Sequence, residues 1–157
     1  MTIIVADDLG EEIDANSYVD VEEAEDILIN LGFVEVPCEV DYIMATKYID
    51  TYLRPVSQIL NREQPLNFPR QKFKDSQGRT VTGIPKKLKE VTALIATEFM
   101  EDDLWNAPDA ITEEAFGDSR VKYAGPTKQN KKPHVYLSML KTLGYGSSTN
   151  SIELIRA

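Results

Sequence analysis

The sequence predicts a mainly α-helical protein: a small bundle of about four helices with an ordered loop or β-hairpin excursion and extended N- and C-terminal arms. Four stretches place apolar residues at helical spacing, and capping or helix-breaking residues bound each stretch. At 157 residues and 42% hydrophobic composition the chain fits one domain. We predict an N-terminal arm over 1–19, a helical core over 20–143 with inserted loops 62–84 and 104–132, and a flexible linker with a C-terminal docking tail over 144–157.

The first predicted helix begins after Asp20, which serves as N-cap, and Glu23 completes a capping box. Gly32 is a suitable residue to end it. Upstream, the short run from Thr2 to Val5 predicts a strand or an arm that adds to the sheet of another subunit. The apolar stripe of the helix comprises Val21, Ala24, Ile27, Leu28 and Leu31.

The second predicted helix starts near Pro37, and Pro55 is expected to kink or end it. Within it, Tyr48 and Tyr52 favour a place in the core or at a subunit contact over a cofactor stack. Cys38 is the single cysteine, which rules out an internal disulfide and fits a reducing cytoplasm. We expect Cys38 to be a small, partly buried side chain and not a nucleophile.

The segment from Leu66 to Pro85 is a proline-bounded connection that contains too many apolar residues for a free linker. Pro69 prevents helix from running through it, Asp75 to Gly78 form a turn, and Pro85 starts the next helix. The basic stretch Arg70 to Arg79 is expected to make contacts. The structural anchors are predicted to be Tyr48, Leu66, Phe68, Pro69, Ile84 and Pro85.

The third predicted helix runs from about Pro85 to Asp103 and is apolar enough to be buried on two sides. Glu98 and Asp102 lie four residues apart, a spacing that suits a divalent cation, although two carboxylates are a weak motif. Contact with a basic surface of a neighbour is the favoured explanation for acidic residues at the C-terminal end of a helix, where the helix dipole disfavours them. Since the sequence contains no catalytic signature, we expect neither an enzyme nor a bound cofactor or metal.

Residues 104–132 lose helical periodicity and predict a loop or hairpin with a basic surface. Between Ser119 and Lys132 the chain has five basic residues and no acid. They suit either a phosphate-contacting arm, with Tyr123 as a stacking group, or a solvated loop beside acidic neighbours. A short fourth helix follows from Pro133, and Gly144 closes it.

The C-terminal segment after Gly144 predicts a helix cap and a flexible linker, because no strand precedes its glycines and no lysine follows them. The last residues, 151–157, place Ile152, Leu154 and Ile155 behind this tether. An apolar peptide in that position predicts a tail that docks into a groove or onto a sheet edge of a partner.

Charge divides the chain into two unlike parts within an overall net charge of −9. Residues 1–60 contain 14 acidic and 2 basic residues, a net of −12, whereas residues 61–157 have a net of +3. The division suggests different partners for the two parts or self-assembly of an acidic face with a basic one. A soluble acidic protein with an incidental gradient is the alternative. No apolar run approaches the roughly 20 residues of a membrane span, and the acidic start does not resemble a secretory signal.

Several short motifs, in this order and spacing, resemble a family of small tailed-phage proteins labelled "DnaT-like single-stranded-DNA-binding protein". The resemblance covers roughly residues 1–105 and is poor after Trp105. The motifs are Asp14-Ala15-Asn16-Ser17-Tyr18-Val19, Ala45-Thr46-x-Tyr48-Ile49-Asp50, Leu66-x-Phe68-Pro69-Arg70, Asp75-x-x-Gly78 and Ile84-Pro85.

In overall plan this family is similar to the head-to-tail adaptor, or connector, proteins of tailed phages. The resemblance implies a structural virion protein, made in the host cytoplasm and located in the neck, where a ring of about twelve copies continues the DNA channel used in packaging and ejection. The implied partners are the other copies, the portal protein, tail or nozzle proteins, and genomic DNA that passes without sequence-specific binding. The alternative is a single-stranded-DNA-binding replication accessory protein.

Interface residues for the adaptor are predicted on the basic loops and the C-terminal tail. In the alternative, the basic residues of the central excursion and of 120–132 contact the DNA backbone while Phe73 or Tyr123 stacks on bases. The acidity of the chain disfavours strong DNA binding and suits a channel lining. The predicted subunit, portal or tail contacts are Arg70, Lys72, Phe73, Lys74, Arg79, Arg120, Lys122, Lys131, Lys132, Ile152, Leu154 and Ile155.

Overall fold

The computed structural model describes residues 2–101, 104, 114–116, 119–121 and 132–144. The predicted mainly helical fold with four helices is confirmed. In chain order the elements are α1 (Val21–Asn30), α2 (Glu39–Tyr52), α3 (Lys86–Glu101), β1 (Glu114–Phe116), β2 (Ser119–Val121), α4 (Lys132–Ser138) and a 3-10 helix (Lys141–Leu143).

Helix α3 is the centre of the bundle, because α1, α2 and α4 all pack against it. Every residue from Val91 to Glu98 is buried. A helix with neighbours on several sides needs an apolar surface wider than one stripe, which its sequence supplies. The prediction that this helix is buried on two sides is confirmed.

Helix α1 begins as its sequence predicts. The Asp20 carboxylate accepts a hydrogen bond of 2.7 Å from the backbone amide of Glu23, which satisfies a donor at the helix N-terminus. Ala24 and Leu28 are fully buried, but Leu31 is half exposed. The buried stripe is therefore shorter than predicted.

Helix α2 begins at Glu39 with Cys38 as its N-cap residue, and the Asp41 carboxylate accepts a 2.9 Å hydrogen bond from the backbone amide of Cys38. Cys38 is exposed, so the expectation of a partly buried side chain is wrong. The reason is that Cys38 lies at the N-terminus of α2, directly after an exposed loop. The helix ends at Tyr52, before Pro55, as predicted.

The N-terminal segment pairs with its own chain. The Ile4 amide donates to Asn16 Oδ1 at 2.8 Å, and the Asn16 amide donates back to the Ile4 carbonyl at 2.8 Å. Val5 and Ser17 form an isolated parallel bridge. The segment therefore pairs within its own chain, whereas one of the two predictions was that it adds to the sheet of another subunit.

The later elements are short. β1 and β2 form an antiparallel hairpin with Phe116 opposite Ser119, which agrees with the loop-or-hairpin prediction for this region. In the last segment Leu137, Leu140 and Leu143 are buried, whereas Val135 is 59% exposed. Gly144 follows the 3-10 helix with a left-handed φ of 110°. The predicted C-terminal tail lies outside the described residues.

Candidate functional site

The base of the excursion, residues 66–70, is fastened to α2 by a buried polar network. The Asp50 carboxylate accepts one hydrogen bond from the Tyr18 hydroxyl and another, of 3.0 Å, from the backbone amide of Asn67. The Asn67 side-chain amide donates to the Asp50 carbonyl at 3.1 Å. The Arg70 guanidinium donates to the Asn67 carbonyl at 2.5 Å and to the Ser57 carbonyl. Three distant parts of the sequence are thereby joined at one point.

Burial dominates the electrostatics of this network. It raises the pKa of Tyr18 well above its ordinary value, and the neighbouring Asp50 charge raises it further. Burial also raises the pKa of Asp50, against the opposing effect of hydrogen bonds from Tyr18 and Asn67. Loss of water lowers the pKa of Arg70. Arg70 is bonded to oxygens of its own chain, and its role at an interface stays a prediction.

The apolar side of the base is an aromatic pair. Phe68 is 1% exposed, and its ring meets that of Phe73 edge to face with centroids 5.3 Å apart. Phe73 is itself 5% exposed. The ring fills the core beneath the excursion and leaves little surface for a partner or a base, so its predicted role as a contact or base-stacking residue stays a prediction.

The predicted anchors lie in or beside this core. Leu66, Pro69 and Ile84 are buried, and Pro85 is partly buried immediately before α3. The peptide bond between Phe68 and Pro69 is cis. Tyr48 packs against the ring of Tyr52 at 5.0 Å and against that of Phe99 at 5.8 Å.

The tip of the excursion, residues 72–80, is a turn organised by Asp75. The Asp75 carboxylate accepts hydrogen bonds of 2.9 Å from the amides of Gln77 and Arg79, and one of 2.8 Å from Arg79 Nε. These bonds, chiefly the one from the Arg79 amide, lower the pKa of Asp75. Lys72 and Lys74 are exposed on the same tip. The Arg79 side chain, also a predicted contact, is exposed as well but is paired with Asp75.

The tip also docks onto the end of the chain that the structure describes. The Ser76 amide donates to the Thr142 carbonyl at 3.1 Å, and the Arg54 amide donates to the Gly144 carbonyl at 3.4 Å. A Cβ at position 144 would lie 2.8 Å from the Arg54 carbonyl oxygen. Glycine is therefore required here by both the close approach and the left-handed backbone.

A groove of about 350 Å³ lies between the tip, the exit of α2 and the 3-10 helix; we call it the basic groove. Lys74 and Lys141 supply its cations, and Val56 beside it is 91% exposed. The Ser57 hydroxyl is buried and has no hydrogen-bond partner within the described part of the chain. The lining residues are Pro55, Val56, Ser57, Phe73, Lys74, Asp75, Ser76, Lys141, Thr142 and Gly144.

A surface of opposite charge lies at the other end of α2. We call residues 34–40 the acidic loop. Val34 is 95% exposed and Val40 is 45% exposed, while Glu35 and Glu39 beside them are also exposed. No lysine or arginine precedes Lys47 in the sequence. The acidic loop therefore combines exposed apolar side chains with uncompensated negative charge.

A second cleft, of about 420 Å³, lies above the polar network. Lys47 and Arg54, the two basic residues among the first sixty, both line it, together with Asp50. Asp50 is already bonded to Tyr18 and Asn67. Lys47 is exposed, so this cleft also offers a cation to an incoming group.

The remaining predicted contacts lie largely beyond what the structure describes. Arg120 is in β2 and Lys132 begins α4, but the side chains of both fall outside the described set. Asp102, the suggested metal partner of Glu98, also falls outside it, as do Lys122, Lys131, Ile152, Leu154 and Ile155. Within the described residues no group of three or more possible metal-binding side chains occurs, and no helix is long and apolar enough to cross a membrane.

Sequence patterns did not reveal the Tyr18–Asp50–Asn67 network. Tyr18 and Asp50 are 32 residues apart, and Asn67 follows Asp50 by 17. The available signal was that Tyr18 and Asp50 each belong to one of the short motifs. Asn67 occupies the unspecified position of the motif that begins at Leu66, so only its neighbours carried a signal.

Comparison with protein families gives a match over residues 1–157 to the family described as "Putative DnaT-like ssDNA binding protein". The chain belongs to this family. The match extends past Trp105, where the sequence motifs indicated little resemblance. Comparisons with curated proteins and with solved structures give no significant match.

Proposed function

We propose that the protein is a structural virion component, a head-to-tail adaptor that forms a ring of about twelve copies between portal and tail. One observation carries the proposal. Two nearly fully exposed valines, Val34 and Val56, lie at opposite ends of α2 in surroundings of opposite charge. Apolar side chains grouped with charge on two separate faces are typical of a subunit that has a neighbour on each side.

The internal use of the two best DNA-contact residues also supports this function. Arg70 donates its hydrogen bonds to backbone carbonyls of its own chain, and Phe73 is buried. Neither is free to contact a phosphate or a base. A net charge of −9 repels nucleic acid, as suits a channel through which DNA must slide without sticking.

The proposal extends to partners and location. Other copies of the chain contact its lateral faces, the portal and tail or nozzle proteins contact its ends, and genomic DNA passes through the ring. The protein is made in the host cytoplasm and resides in the virion neck. Its role is assembly, and the proposal assigns it no catalysis.

The test is the composition of the virion. Purified, DNA-filled particles of the phage that encodes the chain should contain it at a fixed ratio to the portal protein, measured by quantitative mass spectrometry. A phage lacking the gene should accumulate filled heads without tails. Absence of the protein from complete virions would contradict the proposal.

A second candidate function is single-stranded DNA binding, which the family description favours. Lys72, Lys74 and Lys141 are the described, exposed cations that would contact the backbone. Fluorescence anisotropy with a labelled oligonucleotide at low salt separates the two functions. Tight binding that weakens steeply with salt and is lost in Lys74→Glu/Lys141→Glu would support this candidate. The adaptor proposal predicts weak binding that changes little in this variant.

A further inference from the structure

The acidic loop and the basic groove are complementary surfaces that lie at opposite ends of one helix. The acidic loop, residues 34–40, includes Glu39, where α2 begins, and the groove residues Val56 and Ser57 follow Tyr52, where it ends. At about 1.5 Å per residue the 14 residues of α2 separate the two surfaces by roughly 20 Å. They cannot meet within one molecule, so any contact between them joins two copies.

The acidic loop has the features of an inserting element. Val34 has almost no contacts of its own, since 95% of it is exposed. Glu35 and Glu39 flank it with exposed carboxylates. Pro37 is buried and restricts the backbone between them, which lowers the entropy lost on docking.

The basic groove has the features of a matching receptor. Phe73 and Pro55 give it an apolar lining, and Lys74 and Lys141 contribute the positive charge that two carboxylates require. A volume of about 350 Å³ accommodates a valine side chain together with part of its backbone.

We propose that the acidic loop of one copy docks into the basic groove of the next, with Val34 in the groove and Glu35 and Glu39 paired with Lys74 and Lys141. The contact is heterologous, because each copy uses one surface as insert and the other as receptor. Repetition around a closed rotation produces a ring. The inference rests on the proposed adaptor function, for which it names the subunit interface, but it concerns a contact that purified protein can make.

The test uses the chain's single cysteine, Cys38, which is exposed in the acidic loop. The wild-type chain is mixed with a Cys38→Ser/Val56→Cys variant at low salt and treated with a short bis-maleimide cross-linker. Because Val56 is 91% exposed, Val56→Cys should leave the thermal melt unchanged, and Cys38→Ser places a preferred N-cap residue before α2 and should not lower it. The expected result is a yield of mixed dimer, linked from Cys38 to the cysteine at position 56, that clearly exceeds the yield of the Cys38–Cys38 dimer.

Two controls make the result specific. In a matched variant, Cys38→Ser/Leu9→Cys, the introduced thiol stands at a residue that is also exposed, at 63%, but away from the groove. It should give only background cross-linking. Adding Lys74→Glu and Lys141→Glu to the Val56→Cys variant should lower the mixed dimer about tenfold.

Other outcomes would overturn the inference. A yield with Val56→Cys no higher than with Leu9→Cys would show that the surfaces do not meet, and a yield insensitive to the lysine reversals would exclude the proposed pairing. Protection of the introduced thiol by an oligonucleotide, without mixed dimer, would assign the groove to nucleic acid. If the mixed dimer forms but the protein is absent from virions, the adaptor function is refuted and the contact stands. If the protein is present in virions but the mixed dimer does not form, only the contact is refuted.

Discussion

The base and the tip of the excursion belong to one segment but differ in nearly every physical respect. At the base, Phe68 is 1% exposed and Arg70 bonds to carbonyls of its own chain. At the tip, Lys72 and Lys74 are open to solvent, and a single carboxylate, Asp75, organises the turn. Basic residues of one segment therefore differ in environment: Arg70 bonds within the fold, whereas Lys72 and Lys74 face solvent.

The difference teaches that motif residues and contact residues are separate sets in this protein. The motif residues Tyr18 and Asp50 meet Asn67, which lies between two residues of a third motif, in a partly buried network. The surfaces proposed for contact, the acidic loop and the basic groove, take most of their residues from outside those motifs. Motif resemblance therefore identifies the fold more directly than it identifies the partner.

The largest expected effect comes from removing the aromatic anchor of the base. Phe68→Ala should lower the free energy of unfolding by about 3–5 kcal/mol, because it leaves a cavity against Phe73 and the core. Urea denaturation at pH 7 measures it. Val56→Ala, at a side chain 91% exposed, should change the same quantity by less than about 0.5 kcal/mol. If the two variants lowered the free energy of unfolding equally, the base would not be more important for stability than the surface.

A smaller effect is expected in the polar network. Tyr18→Phe deletes the hydroxyl that donates to the Asp50 carboxylate and leaves that buried acceptor with one partner fewer. The expected loss is about 1–3 kcal/mol in the free energy of unfolding. A loss below about 0.5 kcal/mol in urea melts would mean that water replaces the hydroxyl and that the network does not fasten the base.

At the tip, Asp75 predicts a pH-dependent effect. Its pKa is lowered in the folded protein, so its stabilising contribution is present above its ordinary pKa of 3.8 and is lost as the pH falls through the lower folded value. Asp75→Asn should therefore be less stable than wild type at pH 7, and the difference should shrink as the pH falls below 3.8. Thermal melts across that range test this, and a constant difference would contradict it.

The smallest effect is expected at Lys72, which is exposed and has a left-handed φ of 46°. Lys72→Ala retains a Cβ, so the backbone preference is nearly unchanged, and the free energy of unfolding should move by less than about 0.5 kcal/mol. A larger change in urea melts would show that the Lys72 side chain contributes to folding and is not only a surface group.

Local signals in the sequence predicted much of the fold. Asp20 was recognisable as a cap, and the width of the apolar surface of α3 predicted its burial on two sides. Such features depend on residues within a few positions of one another, where helix geometry limits the alternatives. The bundle and its helices followed from them.

Which residues of the excursion are buried and which are exposed could not be predicted in the same way. Arg70 and Lys74 are both basic residues in one loop, and only the position of the Asn67 and Ser57 carbonyls makes Arg70 internal. Phe73 was equally suited to a partner or to the core. Cys38 was expected to be partly buried and is exposed, because its exposure depends on where α2 begins. Long-range packing, which local patterns do not encode, decided each case.

The central claim is most directly tested by electron microscopy of the virion neck. The account predicts a ring below the portal into which this fold fits, with the loop around Val34 of each copy seated in the groove beside Val56 of the next. A neck reconstruction from complete virions in which no density fits the chain would contradict the account.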